Sequence, residues 1–217
     1  MRAWVGLVAG VFVLAGCGGS GSNSASGTTT ASTVPPAARP ASGAPPWVLP
    51  RDPLKLVRRA GLRPGKHEFL LVHRHAHLDV VVNGQRVEVP GGIGIQIHDP
   101  GVKSDKSPDG TPVYGGIKEC RRPCISPLHT HSDDGVLHTE SSESRPNRLG
   151  QLFVEWNVRL TPSCVGGFCK PAARIRVYVD GAAYAGDPRQ IALTDGKEIA
   201  IVIGTPPATI PSKFPRG

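Results

Sequence analysis

The chain has 217 residues, with 25 basic against 17 acidic side chains and a formal charge of +8 at neutral pH. The basic residues are scattered, with short pairs only at Arg58-Arg59 and Arg121-Arg122, so nucleic acid is a poor partner; the charge suits a solubilising surface, or contact with anionic lipid and envelope polymers. Residues 47–217 suffice for one domain with its own core, and no GxSxG, P-loop or strand-borne GxGxxG points to nucleophile or nucleotide chemistry.

At the N-terminus Arg2 precedes an apolar run, Ala3 to Ala15, and small residues follow. This is the layout of a secretory signal over residues 1–16, too short for a comfortable membrane span of about 20 residues. Leu14-Ala15-Gly16-Cys17 resembles the lipobox of bacterial lipoproteins. The resemblance implies that cleavage precedes Cys17 and that Cys17 is lipidated. It also implies an exported chain, anchored to the cell membrane and facing outside the cytoplasm. The rest of residues 17–46 is rich in Ser, Thr, Gly and Pro, with one charge and no large apolar residue but Val34. It reads as a disordered tether, and its hydroxyls permit O-glycosylation.

Asp52-Pro53 opens a short helix expected over about 53–60, with Asp as cap and Pro at the first position, stopped by Gly61. From Glu68 the period becomes two. Leu70, Val72, Ala76, Leu78, Val80 and Val82 share one strand face; His73, His75, His77, Asp79 and Val81 share the other. Asn83-Gly84 signals a hairpin, with Gln85 to Val89 as return strand. Ile93, Ile95 and Ile97 suggest a further strand, while GGIGI itself suggests a bulge or a tight backbone approach. Residues 98–110 read as a loop, and 113–118, 125–131 and 136–141 as short strands.

Leu149, Leu152, Phe153 and Trp156 fall at i, i+3, i+4 and i+7, predicting the main amphipathic helix over about 148–157, capped by Asn147. Strands at 174–179, 191–193 and 198–203 follow, with a hairpin at Asp180-Gly181. VVVNGQRVEVP and VYVDGAAYAGDP share a pattern that fits either two related hairpin halves or two ordinary hairpins. The Pro-rich tail from Thr205 is expected to wrap the surface. The expected fold is α+β and β-rich, built of short antiparallel strands and hairpins with two helices. The run LHTHSDDGVLHTE with RLGQLFVEW resembles an uncharacterised group of exported bacterial and archaeal proteins over about residues 70–204, a resemblance that implies no activity.

Besides Cys17 there are four cysteines, an even number for an oxidising compartment. Local pairing, Cys120 with Cys124 and Cys164 with Cys169, is favoured because each pair flanks a turn-prone segment. The competing reading makes Cys120 and Cys124 zinc thiolates beside His129 and His131.

Six of the eight histidines sit in two short segments, VHRHAH and LHTHSDDGVLHTE. Same-face neighbours on a strand lie about 6.5–7 Å apart, close enough for two imidazoles to tilt onto one ion. The expected metal ligands are His129, His131, His138 and Glu140, joined by His75 and His77 if the strands are neighbours. His67 and His98 read as solvated, and His73 is ambiguous. Imidazole with a carboxylate suits copper or zinc, and iron is admissible. The sequence thus suggests a surface lipoprotein that binds a transition metal. Its alternatives are an enzyme with an open coordination position, aided by Asp133 or Asp134, and a metal-free, disulfide-stapled interaction domain. The membrane is the expected partner, and no catalytic residue is assigned.

Overall fold

The computed structural model describes residues 40–68 and 71–215. The signal, Cys17 and the tether up to residue 39 lie outside the described residues. Residues 40–46, read from sequence as tether, pack onto the domain. The Ala41 N–H donates to the Asn157 carbonyl at 2.6 Å, and the Gly43 carbonyl accepts from Gly167 N–H and from the Trp47 indole. Gly167 permits this approach: a Cβ there would meet the Ser42 carbonyl oxygen at 2.6 Å and the Gly43 carbonyl carbon at 2.8 Å, whereas a Cβ on Gly43 would meet nothing within 4 Å.

The elements run α1 (Pro53–Arg59), β1 (Val72–Val82), β2 (Gln85–Val87), β3 (Lys103–Lys106), β4 (Pro112–Gly115), β5 (Leu128–His129), β6 (Val136–Ser141), α2 (Leu149–Glu155), β7 (Cys164–Val165), β8 (Phe168–Cys169), β9 (Ile175–Val179), β10 (Ala182–Tyr184) and β11 (Lys197–Ile203). The main sheet has the order β10-β9-β11-β1-β6-β5, with β2 also paired to β1. Both Asx-Gly hairpins form, as β1–β2 and β9–β10. The α+β, β-rich expectation holds with one refinement: β1 and β11 run parallel. A parallel pair needs a long crossover, and here it takes residues 83–196, which include α2.

Alternation decides what each face of the sheet does. Ala76, Leu78 and Val80 of β1, Leu137 of β6 and Ile199, Ile201 and Ile203 of β11 point into the main core. α2 covers that face with Leu149, Leu152, Phe153 and Trp156, all at most 1% exposed. The Trp156 indole N–H donates to the Trp47 carbonyl at 3.0 Å, and the two rings meet edge-on at 5.6 Å.

Several sequence expectations are corrected. Asn147 does not cap α2; its amide donates to the Pro127 carbonyl and the Thr139 hydroxyl, while the Gln151 side chain accepts the Arg148 N–H at 2.8 Å. The helix stops at Glu155 because Asn157 takes a left-handed conformation, φ 59°. Ile93, Ile95 and Ile97 form no strand. Their segment is a glycine turn, and only Ile95 makes an isolated bridge, with Ile125. Residues 191–193 likewise make only the bridge Ala192–Arg148. The expected loop 98–110 contains β3, which pairs with β4.

The tail from Thr205 lies across the second face of the sheet. Pro206 sits by Gly84 at one end, Ser212 packs against Gly181 at the other, and the Phe214 ring comes within 6.3 Å of the His77 ring.

Candidate metal centre

Three antiparallel strands bring the histidines together on that second face. In register, His73 lies opposite Glu140, His75 opposite His138, and His138 opposite His129. Directly opposed residues have Cβ atoms about 4.5–5.5 Å apart on one face, so a row of imidazoles forms across β1, β6 and β5. Ring centroids are 4.6 Å apart for His75 and His138 and 5.5 Å for His129 and His138, the latter pair stacked at 10°.

His131 lies one turn beyond β5, where the small β3–β4 hairpin holds it. Its carbonyl accepts the Tyr114 N–H at 2.9 Å, and its Nδ1 donates to the Tyr114 carbonyl. The His129 Nδ1 donates to the Ser126 carbonyl at 2.8 Å. Ser126 is itself fixed from α2, where the buried Glu155 carboxyl accepts its hydroxyl at 2.6 Å. Burial pushes that carboxyl well above its ordinary range, against the Ser126 hydrogen bond, which lowers it. The glycine turn grips the same segment from the other side. Gly92 N–H donates to the Thr130 carbonyl, and a Cβ on Gly94 would meet the Leu128 carbonyl at 2.6 Å. GGIGI is therefore a close backbone approach, as its composition suggests.

Carbonyls only accept. With both Nδ1 atoms donating, the neutral His129 and His131 rings carry bare lone pairs on Nε2. Those two Nε2 atoms face each other at 3.2 Å. Two lone pairs at that distance repel unless a proton or a cation lies between them. Two nitrogens bound about 2.05 Å from a tetrahedral zinc ion stand about 3.3 Å apart, so the spacing suits one ion. Glu140 Oε1 is 3.8 Å from His129 Nε2 and 3.8 Å from His138 Nδ1. Among the described residues, His138 Nδ1 and Glu140 Oε2 are buried without a hydrogen-bond partner. The ligand atoms of His129, His131, His138 and Glu140 all lie within 4.8 Å of one another, so this group can hold a metal ion.

The local electrostatics disfavour a proton on His129 and on His138. Burial, then the neighbouring His131 ring, holds His129 down to about 3. Burial, then the rings of His129, His131, His75 and His73, holds His138 down to about 2. Burial chiefly, with the Glu68 carboxylate, raises Glu140 to about 7. Neutral imidazole is the form that binds metal.

The remaining expected ligands divide. His75 joins His73 and His138 in a second group whose ligand atoms lie within 4.8 Å of one another. His77 faces the other way along the sheet. Its Nδ1 donates to Glu198 at 2.8 Å and its Nε2 to the Asp134 carbonyl at 2.9 Å, with Asp79 at 3.6 Å. Burial lowers the His77 pKa, but the hydrogen bond and charge of Glu198 outweigh it, and the net shift is upward. Although His77, Asp79 and Glu198 stand close enough to surround an ion, both ring nitrogens are already donating. We read that group as a buried imidazolium pair.

Sequence reading passed over His73 as ambiguous and missed Glu198, Glu155 and the Tyr114 and Ser126 carbonyls. The thiolate reading fails because Cys120–Cys124 and Cys164–Cys169 are disulfides. The chain matches no known family, no curated protein and no solved structure.

Proposed function

We propose that this is a lipid-anchored protein of the cell envelope that binds a transition-metal ion, copper or zinc, through His129, His131, His138 and Glu140. The observation that carries the reading is the pair of Nε2 lone pairs facing each other at 3.2 Å, with each Nδ1 held by a backbone carbonyl. Backbone acceptors of this kind orient and strengthen metal-bound imidazoles in known sites. The address rests on Leu14-Ala15-Gly16-Cys17 and on disulfides that suit an oxidising compartment.

The test is elemental mass spectrometry of the chain, exported and purified without a histidine tag, beside its His129→Ala/His131→Ala variant. Copper or zinc near stoichiometry in the parent, lost in the variant, is the expected result. A parent that is empty and takes up neither ion would make this a metal-free, disulfide-stapled interaction domain. Separately, Cys17→Ser should release the protein from the membrane fraction; retention there would remove the lipid anchor from the reading.

A further inference from the structure

The donors outnumber one ion. A tetrahedral ion takes about four protein ligands, and His129, His131, His138 and Glu140 supply them. His73 and His75 remain, on the same face, with ring centroids 4.6 Å from each other. The His75 ring lies 4.6 Å from His138 and the His73 ring 6.1 Å from it. His73 Nε2 stands 3.3 Å from Glu140 Oε1, the same oxygen that faces His129 and His138. Its partner oxygen, Oε2, is buried and has no partner among the described residues.

We propose that the cluster is a dinuclear centre, with a second transition-metal ion held by His73 and His75 and sharing His138 and Glu140 with the first. The proposal rests on the metal-binding reading above and extends it. His138 belongs to both ligand groups, and Glu140 borders donors of both. Their chemistry permits sharing: a carboxylate has two oxygens and an imidazole two nitrogens. If His138 binds both ions, its remaining ring proton leaves to solvent and the ring bridges as an imidazolate. If Glu140 alone bridges, no proton is lost from the ring. Carboxylate-bridged pairs have metals about 3.5–4 Å apart. Each ion would then have two histidines of its own. The first pair is buried or partly buried; on the second, the His73 side chain is 45% exposed and faces solvent. The outer ion is the one positioned to exchange with the surroundings.

The experiment loads the untagged full chain with zinc, removes excess by gel filtration and counts ions per chain; a parallel copper(II) load is read by electron paramagnetic resonance. The expected result is about two ions in the parent and about one in His73→Ala/His75→Ala. In the parent, resonance intensity should fall well below total copper through magnetic coupling, and the variant should restore it. One ion in the parent, unchanged in that variant, overturns the second site and leaves the first standing. Two ions with full, uncoupled intensity overturn the shared ligands. No ion at all overturns the metal reading itself.

Discussion

Two buried clusters share one sheet face and a strand, yet they resolve their chemistry in opposite ways. Around His77 every donor meets an acceptor: Nδ1 meets Glu198 and Nε2 meets the Asp134 carbonyl. Around His129 and His131 the donors are used up on carbonyls and the acceptors face each other. The residue types are nearly the same. What differs is which neighbour the topology supplies. His77 lies beside Glu198 on the parallel strand β11, while His75 lies beside His138 on β6. Where both ring nitrogens are satisfied the imidazole braces the sheet, even though Glu198 Oε1 has no partner among the described residues; where ring lone pairs face each other the group can take an ion.

The comparison can be broken most sharply at His77. His77→Ala should destabilise the metal-free protein by about 3 kcal/mol, because it leaves the buried Glu198 without its partner. It should leave metal stoichiometry untouched. Urea denaturation in chelator and an ion count check the two halves, and loss of metal in this variant would merge clusters that we separate. Next in size, zinc at about 100 times its dissociation constant should add about 2.7 kcal/mol to the parent, and chelator should remove it. His129→Ala/His131→Ala should show no such increment.

Smaller effects follow from pH. Glu140 has a raised folded pKa, about 7, so the stability it contributes is present below its unfolded value and lost as pH rises through about 7. Glu140→Gln in chelator should therefore flatten the fall in Tm between about pH 5 and pH 7.5. His129 and His138 have the opposite sign. Their folded values are depressed, so stability is present above about pH 6.5 and is lost on acidification toward about 3. Bound zinc should deepen that acid loss, since protons then compete for its ligands. Thermal melts across pH, with and without zinc, measure both.

Period and turn chemistry made much of this legible in the sequence. The alternation after Glu68 separates core from histidines on β1, and Asn83-Gly84 and Asp180-Gly181 mark both hairpins. The i, i+3, i+4, i+7 spacing finds α2, and close cysteine spacing favours both bridges. The grouping of His129, His131, His138 and Glu140 was legible because one turn joins β5 to β6. What stayed hidden was non-local or unpatterned. Glu198 meets His77 across 121 residues of sequence, through a parallel pairing that no local signal announces. β3, Lys-Ser-Asp-Lys, is exposed along its whole length and has no apolar alternation to reveal it. The isoleucines of the GGIGI run imitate a strand, but each is buried from a turn, where the glycines let the backbone approach the His129–His131 segment.

The carbonyls of Tyr114 and Ser126 act as a fixed gauge. They hold both rings in the folded chain, so an ion arriving there would order them little further. An ion whose preferred ligand separation departs from 3.2 Å must displace the β3–β4 hairpin on one side or the α2-anchored Ser126 on the other. For an ion bound there, discrimination among metals would then reside in how far these backbone anchors yield as well as in the softness of the donors.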